Sequence, residues 1–456
     1  MGFGFGLVIM ALAQGAFGNG ISDDLRRLEK CHGLLVGERV SKQSPLYVAV
    51  MSGTMSGTDA CMNLLDHARI GQDGRIPYVN GAPELTGHKI LSNLVQFHRS
   101  QLESPDFNVA SGGVRLREMD LFDANEPAFH FVYSLLKSGE PYSNVVTRSF
   151  GIRAIRYTAR TTPRTRRVVD SGAILYSQGP GPTPAAWNPT LIDTGRLAGL
   201  VPDAVENTVQ ILETSQAQYQ GRNTNAHFGG GFLGSQAYLF ATWNGSNFRV
   251  WAKDLLADAL CKDIPVLRSL DVLQAVKPES TFAWRQGISC MQCHETMDPV
   301  SAAMRTQGLI RASPVNEVRF WVSRPIDRPS APYPSMSPDP NYSRRPPDYY
   351  LKYRSFDGTL VNLEGTGVAS LGQALASGDD LYVCAAKRYF QFLTGIEADI
   401  RDDSDPLNPL NLSPSEKKYR QRVIDLGKQL KQDQSTRELF KRIISSPTFI
   451  YPDRGV

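Results

Sequence analysis

The sequence predicts a mainly α protein. It has a helical N-terminal domain over residues 21–150, a mixed, irregular middle region over 151–247 and a helical C-terminal domain over 248–456, behind a signal-like segment at 1–20. Three observations carry this. Apolar residues recur at the spacing of one helix face in the first third of the chain and again toward its end. Helix-start chemistry precedes those stripes, most clearly at Ser413-Pro414-Ser415-Glu416. Between them the periodicity fades. With 29 Pro and 39 Gly in 456 residues, long irregular segments must separate the helices.

Taken in order, Ser22-Asp23-Asp24 reads as a helix cap, with Leu25, Leu28 and Cys31 on one face and Gly33 as the stop. Thr58-Asp59 opens a second helix carrying Cys61, Leu64, Leu65 and Ala68, which ends near Gly71. Thr86 begins a third with Ile90, Leu91, Leu94, Phe97 and His98 in register. Glu126-Pro127 starts a fourth, with Phe129, Val132, Tyr133 and Leu136 as its stripe, because Pro is welcome in a first turn. In the middle region, 153–157 and 168–176 read as extended segments, and 203–219 reads as a helix. Gly229-Gly230-Gly231 reads as a tight turn, since no Lys-Ser/Thr follows to make a phosphate cradle.

The C-terminal part begins with an amphipathic helix over 248–262. A helix over 282–296 follows, stopped at Asp298-Pro299 because the residue before Pro avoids helical angles. Pro-rich coil occupies 323–348. Asp379-Asp380 then caps a helix with Leu381, Cys384, Ala385, Tyr389, Phe392 and Leu393 on a wide apolar face, ended by Gly395. The Ser413 cap leads into Tyr419, Val423, Leu426 and Leu430. A second capping box, Ser435 to Glu438, leads into Leu439, Phe440, Ile443 and Ile444, and Ser446-Pro447 ends that helix.

A net charge of +4 is too small to imply a nucleic-acid partner. The cluster Arg160, Arg164, Arg166 and Arg167 reads as a solvated loop, with a docking patch for an acidic partner as the alternative. The apolar run from Phe5 to Ala13 is too short to span a bilayer but has the length of a signal-peptide core, although no charged segment precedes it. No later stretch is apolar enough for a transmembrane helix.

The most telling run is Cys290-Met291-Gln292-Cys293-His294. This is the CxxCH pattern of covalent c-type haem attachment. Two thiols add across the vinyl groups and the histidine supplies an axial nitrogen to the iron. On a helix the three residues stand at i, i+3 and i+4 and so share a face. A redox CxxC or half of a zinc site is the alternative, but a zinc knuckle wants a second Cys/His pair at short spacing, and the remaining cysteines are scattered. Those four, Cys31, Cys61, Cys261 and Cys384, are an even number suited to an oxidising compartment. Of their three pairings, Cys31–Cys61 and Cys261–Cys384 are the expected disulfides, with buried free thiols as the alternative.

For the second axial ligand, Met336 in Pro332-Tyr333-Pro334-Ser335-Met336-Ser337-Pro338 is the expectation, because a stiff Pro-bounded loop can hold a thioether against iron. Met297 and Met304 lie too close to His294 to reach around the ring. His98 and His130 sit on apolar faces and read as core residues. His32, His67, His88 and His227 have no feature that favours them.

A family resemblance rests on these residues. The run from Leu255 through Cys261-Lys262-Asp263-Ile264-Pro265, then Cys290 to His294 and Met297-Asp298-Pro299, resembles the haem segment of the planctomycete-type cytochrome c group, large secreted bacterial proteins with C-terminal domains of unknown function. Asp357-Gly358, Gly365, Leu371, Leu375, Cys384, Leu393-Thr394-Gly395 and the closing 439–451 are similar to their C-terminal module. Where that group carries Gly and Phe after Asp-Pro, this chain has Val300-Ser301-Ala302-Ala303-Met304. The resemblance implies a cytochrome c-like C-terminal domain and one covalent haem c at Cys290, Cys293 and His294. It says little of substrate.

The sequence therefore leads to an exported, periplasmic monohaem cytochrome that passes single electrons to a redox partner protein or envelope complex. A haem enzyme or sensor with an open distal site, and an envelope structural or assembly protein, are the alternatives.

Overall fold

In a computed structural model of the chain, the first helix, α1, runs without interruption from Phe5 to Val36. The structure describes residues 5–72, 74, 77–79, 82–102, 126–149, 151–158, 167–170, 208–214, 217–219, 222–224, 228–242, 248–312, 318–323 and 345–452. Ser22, Asp23 and Asp24 therefore lie inside a helix rather than at its start. Their carboxylates are spent on tertiary contacts. Asp24 Oδ1 accepts from the Gly57 N–H at 2.8 Å, at the start of the helix Gly57–Asp66, and Asp23 accepts from the Tyr451 hydroxyl at 2.5 Å. Gly33 is likewise helical. The helix stops at Gly37, whose φ of +79° suits only a residue without Cβ and whose N–H closes on the Gly33 carbonyl at 3.1 Å.

The next helices follow their sequence signals. Pro45–Met51 (α2) is capped by the Ser44 hydroxyl, and Gly57–Asp66 (α3) by Ser56. Leu85–Gln101 (α4) and Glu126–Leu136 (α5) bury the stripes expected of them. The middle region departs from expectation. Instead of a helix over 203–219 there is a strand, Thr208–Thr214, and a hairpin of Ala217–Tyr219 with Arg222–Thr224. Thr208, Val209, Ile211 and Thr214 are β-branched, and pairing decides the outcome. Gly151–Thr158 lies between Arg167–Asp170 and Thr208–Thr214 in a three-stranded antiparallel sheet. The three glycines at 229–231 all have positive φ, as a tight turn requires. A Cβ on Gly231 would fall 1.8 Å from the Val145 carbonyl oxygen.

Arg249–Leu260 (α6) precedes the CxxCH segment, which lies on Ile288–Ser301 (α7). This helix starts later than expected, after a separate turn at Ala283–Arg285, and Pro299 does not stop it. Pro299 falls in the last turn, so the helical bond its missing N–H removes is near the end of the helix, and Ser301 Oγ donates to the Asp298 carbonyl at 2.7 Å. An antiparallel hairpin, Asp348–Arg354 with Leu360–Thr366, follows the Pro-rich segment. Gly367–Ser377 (α8), Asp380–Thr394 (α9), Pro414–Asp433 (α10) and Thr436–Ser445 (α11) complete the chain, with a short last helix at Pro447–Ile450. Gly395 ends α9 at φ +80°. The Ser413–Glu416 box forms with both hydrogen bonds.

The two helical parts share one apolar core that runs from Cys31 to Phe449. In it α11 packs on α3 and α5, and the last helix packs on α1. No helix among the described residues is long and apolar enough to cross a membrane.

Of the two expected disulfides, Cys261–Cys384 is formed, with an S–S distance of 1.98 Å, and staples the end of α6 to α9. The other is not. Cys31 and Cys61 are free thiols, fully buried between α1 and α3. The Cys61 thiol donates to the Arg27 carbonyl at 3.5 Å, and burial, together with the neighbouring Cys31, holds its pKa well above the usual range.

Two stability predictions follow from this packing. Replacing Cys261 and Cys384 together with Ala releases a staple between residues 123 apart and lowers the unfolding free energy by about 2–5 kcal/mol, read from urea melts; an unchanged midpoint would refute the staple's role. His98 is fully buried, and burial first, then Arg388, pushes its pKa from 6.5 down to about 3. The unfolded chain takes up a proton that the folded chain refuses, so this contribution is intact above pH 6.5 and is lost as pH falls toward 3. The loss is about 1.4 kcal/mol per pH unit, and it should vanish from the melts of His98→Gln.

Candidate functional site

Helix α7 presents two different faces. Met291, Thr296 and Val300 are buried, and three side-chain bonds clamp the inner side to its surroundings or within the last turn. Gln292 Nε2 donates to the Leu267 carbonyl at 3.0 Å, Thr296 Oγ1 donates to the Lys352 carbonyl at 2.6 Å, and Ser301 closes on Asp298. On the other side Cys290 is exposed, and Cys293 and His294 are half-buried. The helical spacing read from the sequence is thus the spacing in space. Both thiols are free, not bridged to each other. Partial burial, and then the adjacent Cys290, raises the pKa of the Cys293 thiol.

The imidazole of His294 is fixed on two sides. Its Nδ1 lies 3.0 Å from Asp298 Oδ2, one helical turn on. A carboxylate only accepts, so Nδ1 carries the proton and the Nε2 lone pair is left for another partner. Nε2 has no partner among the described residues. Trp284 stacks on the ring with centroids 4.5 Å apart and planes at 23°. Asp298 is itself gripped by Arg249 at the start of α6, with Nε to Oδ1 at 2.6 Å and Nη2 to Oδ2 at 3.0 Å. This two-point contact defines the carboxylate plane. Arg249 and Arg285 also lie near the Trp284 ring, 5.9 and 4.9 Å from its centroid.

Around this helix the surface is unusually apolar. Leu270 is 75% exposed, Leu273 49%, Phe282 42% and Ile288 40%. All four belong to α7 or to the short segments next to it in sequence and packed on it. Exposed apolar side chains are ordinary singly, and these four fall on α7 and the segments that pack on it.

These residues fit a covalently held haem. The thiols are unbridged, and the imidazole has a defined tautomer with one nitrogen available. Among the described residues no three His, Cys, Asp or Glu side chains converge to hold a bare metal ion.

The expected second ligand, Met336, lies outside the described residues, as does His227. Met304 is fully buried and Met297 packs against the core. The described histidines have other settings. His98 Nε2 meets the Tyr389 hydroxyl at 3.0 Å, His67 pairs with Glu84 at 2.9 Å, His32 meets the Glu38 carbonyl at 2.8 Å, and His88 and His130 are buried within α4 and α5. Beside His294 the structure adds Arg249 and Trp284, which no motif brought forward, to Asp298 of the Met297-Asp298-Pro299 run. Only Asp298 had a sequence signal, its i+4 position from His294.

Compared with known proteins, the chain matches no family model, no curated protein and no solved structure.

The exposure pattern predicts a labelling order. In protein made without haem maturation, a maleimide modifies Cys290 and then Cys293 in the native state, whereas Cys31 and Cys61 react only after denaturation, giving four labels in all. Native labelling of Cys31 or Cys61 at the rate of Cys290 would contradict their burial.

Proposed function

We propose that the chain is an exported monohaem c-type cytochrome that carries single electrons in the cell envelope, akin to the planctomycete-type group its haem segment resembles. The observation that carries this is the outward, unbridged pair Cys290 and Cys293 beside a His294 whose Nε2 is left available by Asp298. Cys290 and Cys293 would hold the porphyrin by thioether links and His294 would bind the iron. The haem, when bound, supplies a one-electron couple. The protein orients the imidazole through Asp298 and Trp284. Met336 is the proposed second ligand. The Cys261–Cys384 disulfide supports an oxidising compartment outside the cytoplasm, and the partner is a redox protein or envelope complex.

The test is the denatured intact mass and the pyridine haemochrome spectrum of protein purified from a host that matures c-type haem. The expected result is a mass above the polypeptide by one haem, and its loss when Cys290 and Cys293 are replaced together with Ala. A mass equal to the chain, or lower by two hydrogens from a Cys290–Cys293 disulfide, sinks the proposal. A low-spin iron that ignores carbon monoxide supports electron transfer, and an iron that binds it readily overturns that role.

A further inference from the structure

We propose that Asp298, held by Arg249, is a positioning residue that sets the reduction potential of the site through its hydrogen bond with His294 Nδ1. This rests on the haem reading above and goes beyond it, since attachment through Cys290, Cys293 and His294 requires neither side chain.

The geometry is specific. Asp298 Oδ2 is shared, accepting from His294 Nδ1 at 3.0 Å and from Arg249 Nη2 at 3.0 Å, while Oδ1 takes the Arg249 Nε at 2.6 Å. The side chains of His294 and Asp298 are only 19% and 22% exposed, so solvent weakens the contact little. A carboxylate that accepts the outer N–H of a ligating imidazole makes the inner nitrogen more basic. A more basic ligand favours Fe(III) over Fe(II), so the one-electron potential falls. Arg249 acts in the opposite sense. It draws on the same oxygens, tempers the charge given to the imidazole and fixes the angle at which the carboxylate meets it. The cation comes from α6, the helix that the Cys261–Cys384 bridge ties to α9, so the setting is built into the frame of the fold.

Glu295 provides the control. It is next to His294 on the same helix and approaches Lys352 at 3.9 Å, but makes no bond to the imidazole. Its charge therefore acts through space alone.

The experiment is a spectroelectrochemical titration of the full-length, haem-loaded protein, with haem content first checked by intact mass. Asp298→Asn should favour Fe(II) roughly tenfold, a rise of about 59 mV for one electron. Glu295→Gln should move the potential by less than a third of that. Arg249→Gln should lower it. A shift for Asp298→Asn no larger than for Glu295→Gln overturns the proposal, because charge alone would then account for it. If Asp298→Asn fails to fold or to retain haem, Arg249→Gln decides, and a potential that stays put or rises overturns the idea. Absence of haem from the unaltered protein is a separate result, read from the mass, and fails the haem reading itself.

Discussion

Helix α9 is the member on which the other contacts depend. Its residues from Asp380 to Ala386, with Tyr389, Phe390, Leu393 and Thr394, are buried, so it lies inside the core rather than on it. A helix in that position must have its polar groups answered, because an unpaired buried charge costs several kcal/mol. Arg388 does this by donating to the carbonyls of Ala257 and Asp258 at the end of α6 and of Gln101 at the end of α4. Carbonyls at a helix end are short of partners, although that of Ala257 also accepts from the Cys261 N–H, and a cation is favoured there. One guanidinium thus pins the C-terminal ends of two helices, one from each helical part of the chain, to a third. Asp380, at the start of α9, meets Lys262 at 3.0 Å, the Tyr353 hydroxyl at 3.3 Å and the Phe356 N–H at 3.1 Å. Burial raises its pKa, and Lys262 works against that. Through these bonds α9 also fixes the hairpin.

The haem-motif helix is held by what α9 holds. On one side it packs on α6, whose far end carries Arg249; on the other it packs on the hairpin strand Asp348–Arg354, where Thr296 bonds to Lys352. Where α10 crosses α9 the backbones come so close that a Cβ on Gly427 would lie 2.6 Å from the Val383 Cα. Such an approach leaves little freedom to slide, since close-packed interiors respond to added volume by strain rather than by flow.

Much of this was legible in the sequence, and the parts that were not share a cause. The stripes of α4, α5, α9, α10 and α11 are read directly from spacing, and Ser413–Glu416 from its capping pattern. The CxxCH spacing gave the facing of Cys290, Cys293 and His294. What local pattern misjudged were residues whose partners are distant in sequence. Asp24 looks like a cap for its own helix and serves Gly57 instead. Residues 208–214 look helical until the Gly151–Thr158 strand pairs with them. The hairpin at 348–366 buries Tyr349, Leu351 and Tyr353 in strict alternation, a signal hidden by the Pro-rich run before it. Cys31 and Cys61 share a core as expected, yet remain thiols. Arg249 and Trp284 belong to no motif and become visible only as neighbours of His294.

The same division between local pattern and distant partners runs across α7. The inner face of α7 is anchored by Met291, Gln292, Thr296 and Val300 to groups that exist in the polypeptide alone. On the other face Cys290 is open to water, and Cys293 and His294 are half-buried. Between the two faces the His294 imidazole is fixed by the Asp298 carboxylate on one edge and the stacked Trp284 ring on its plane.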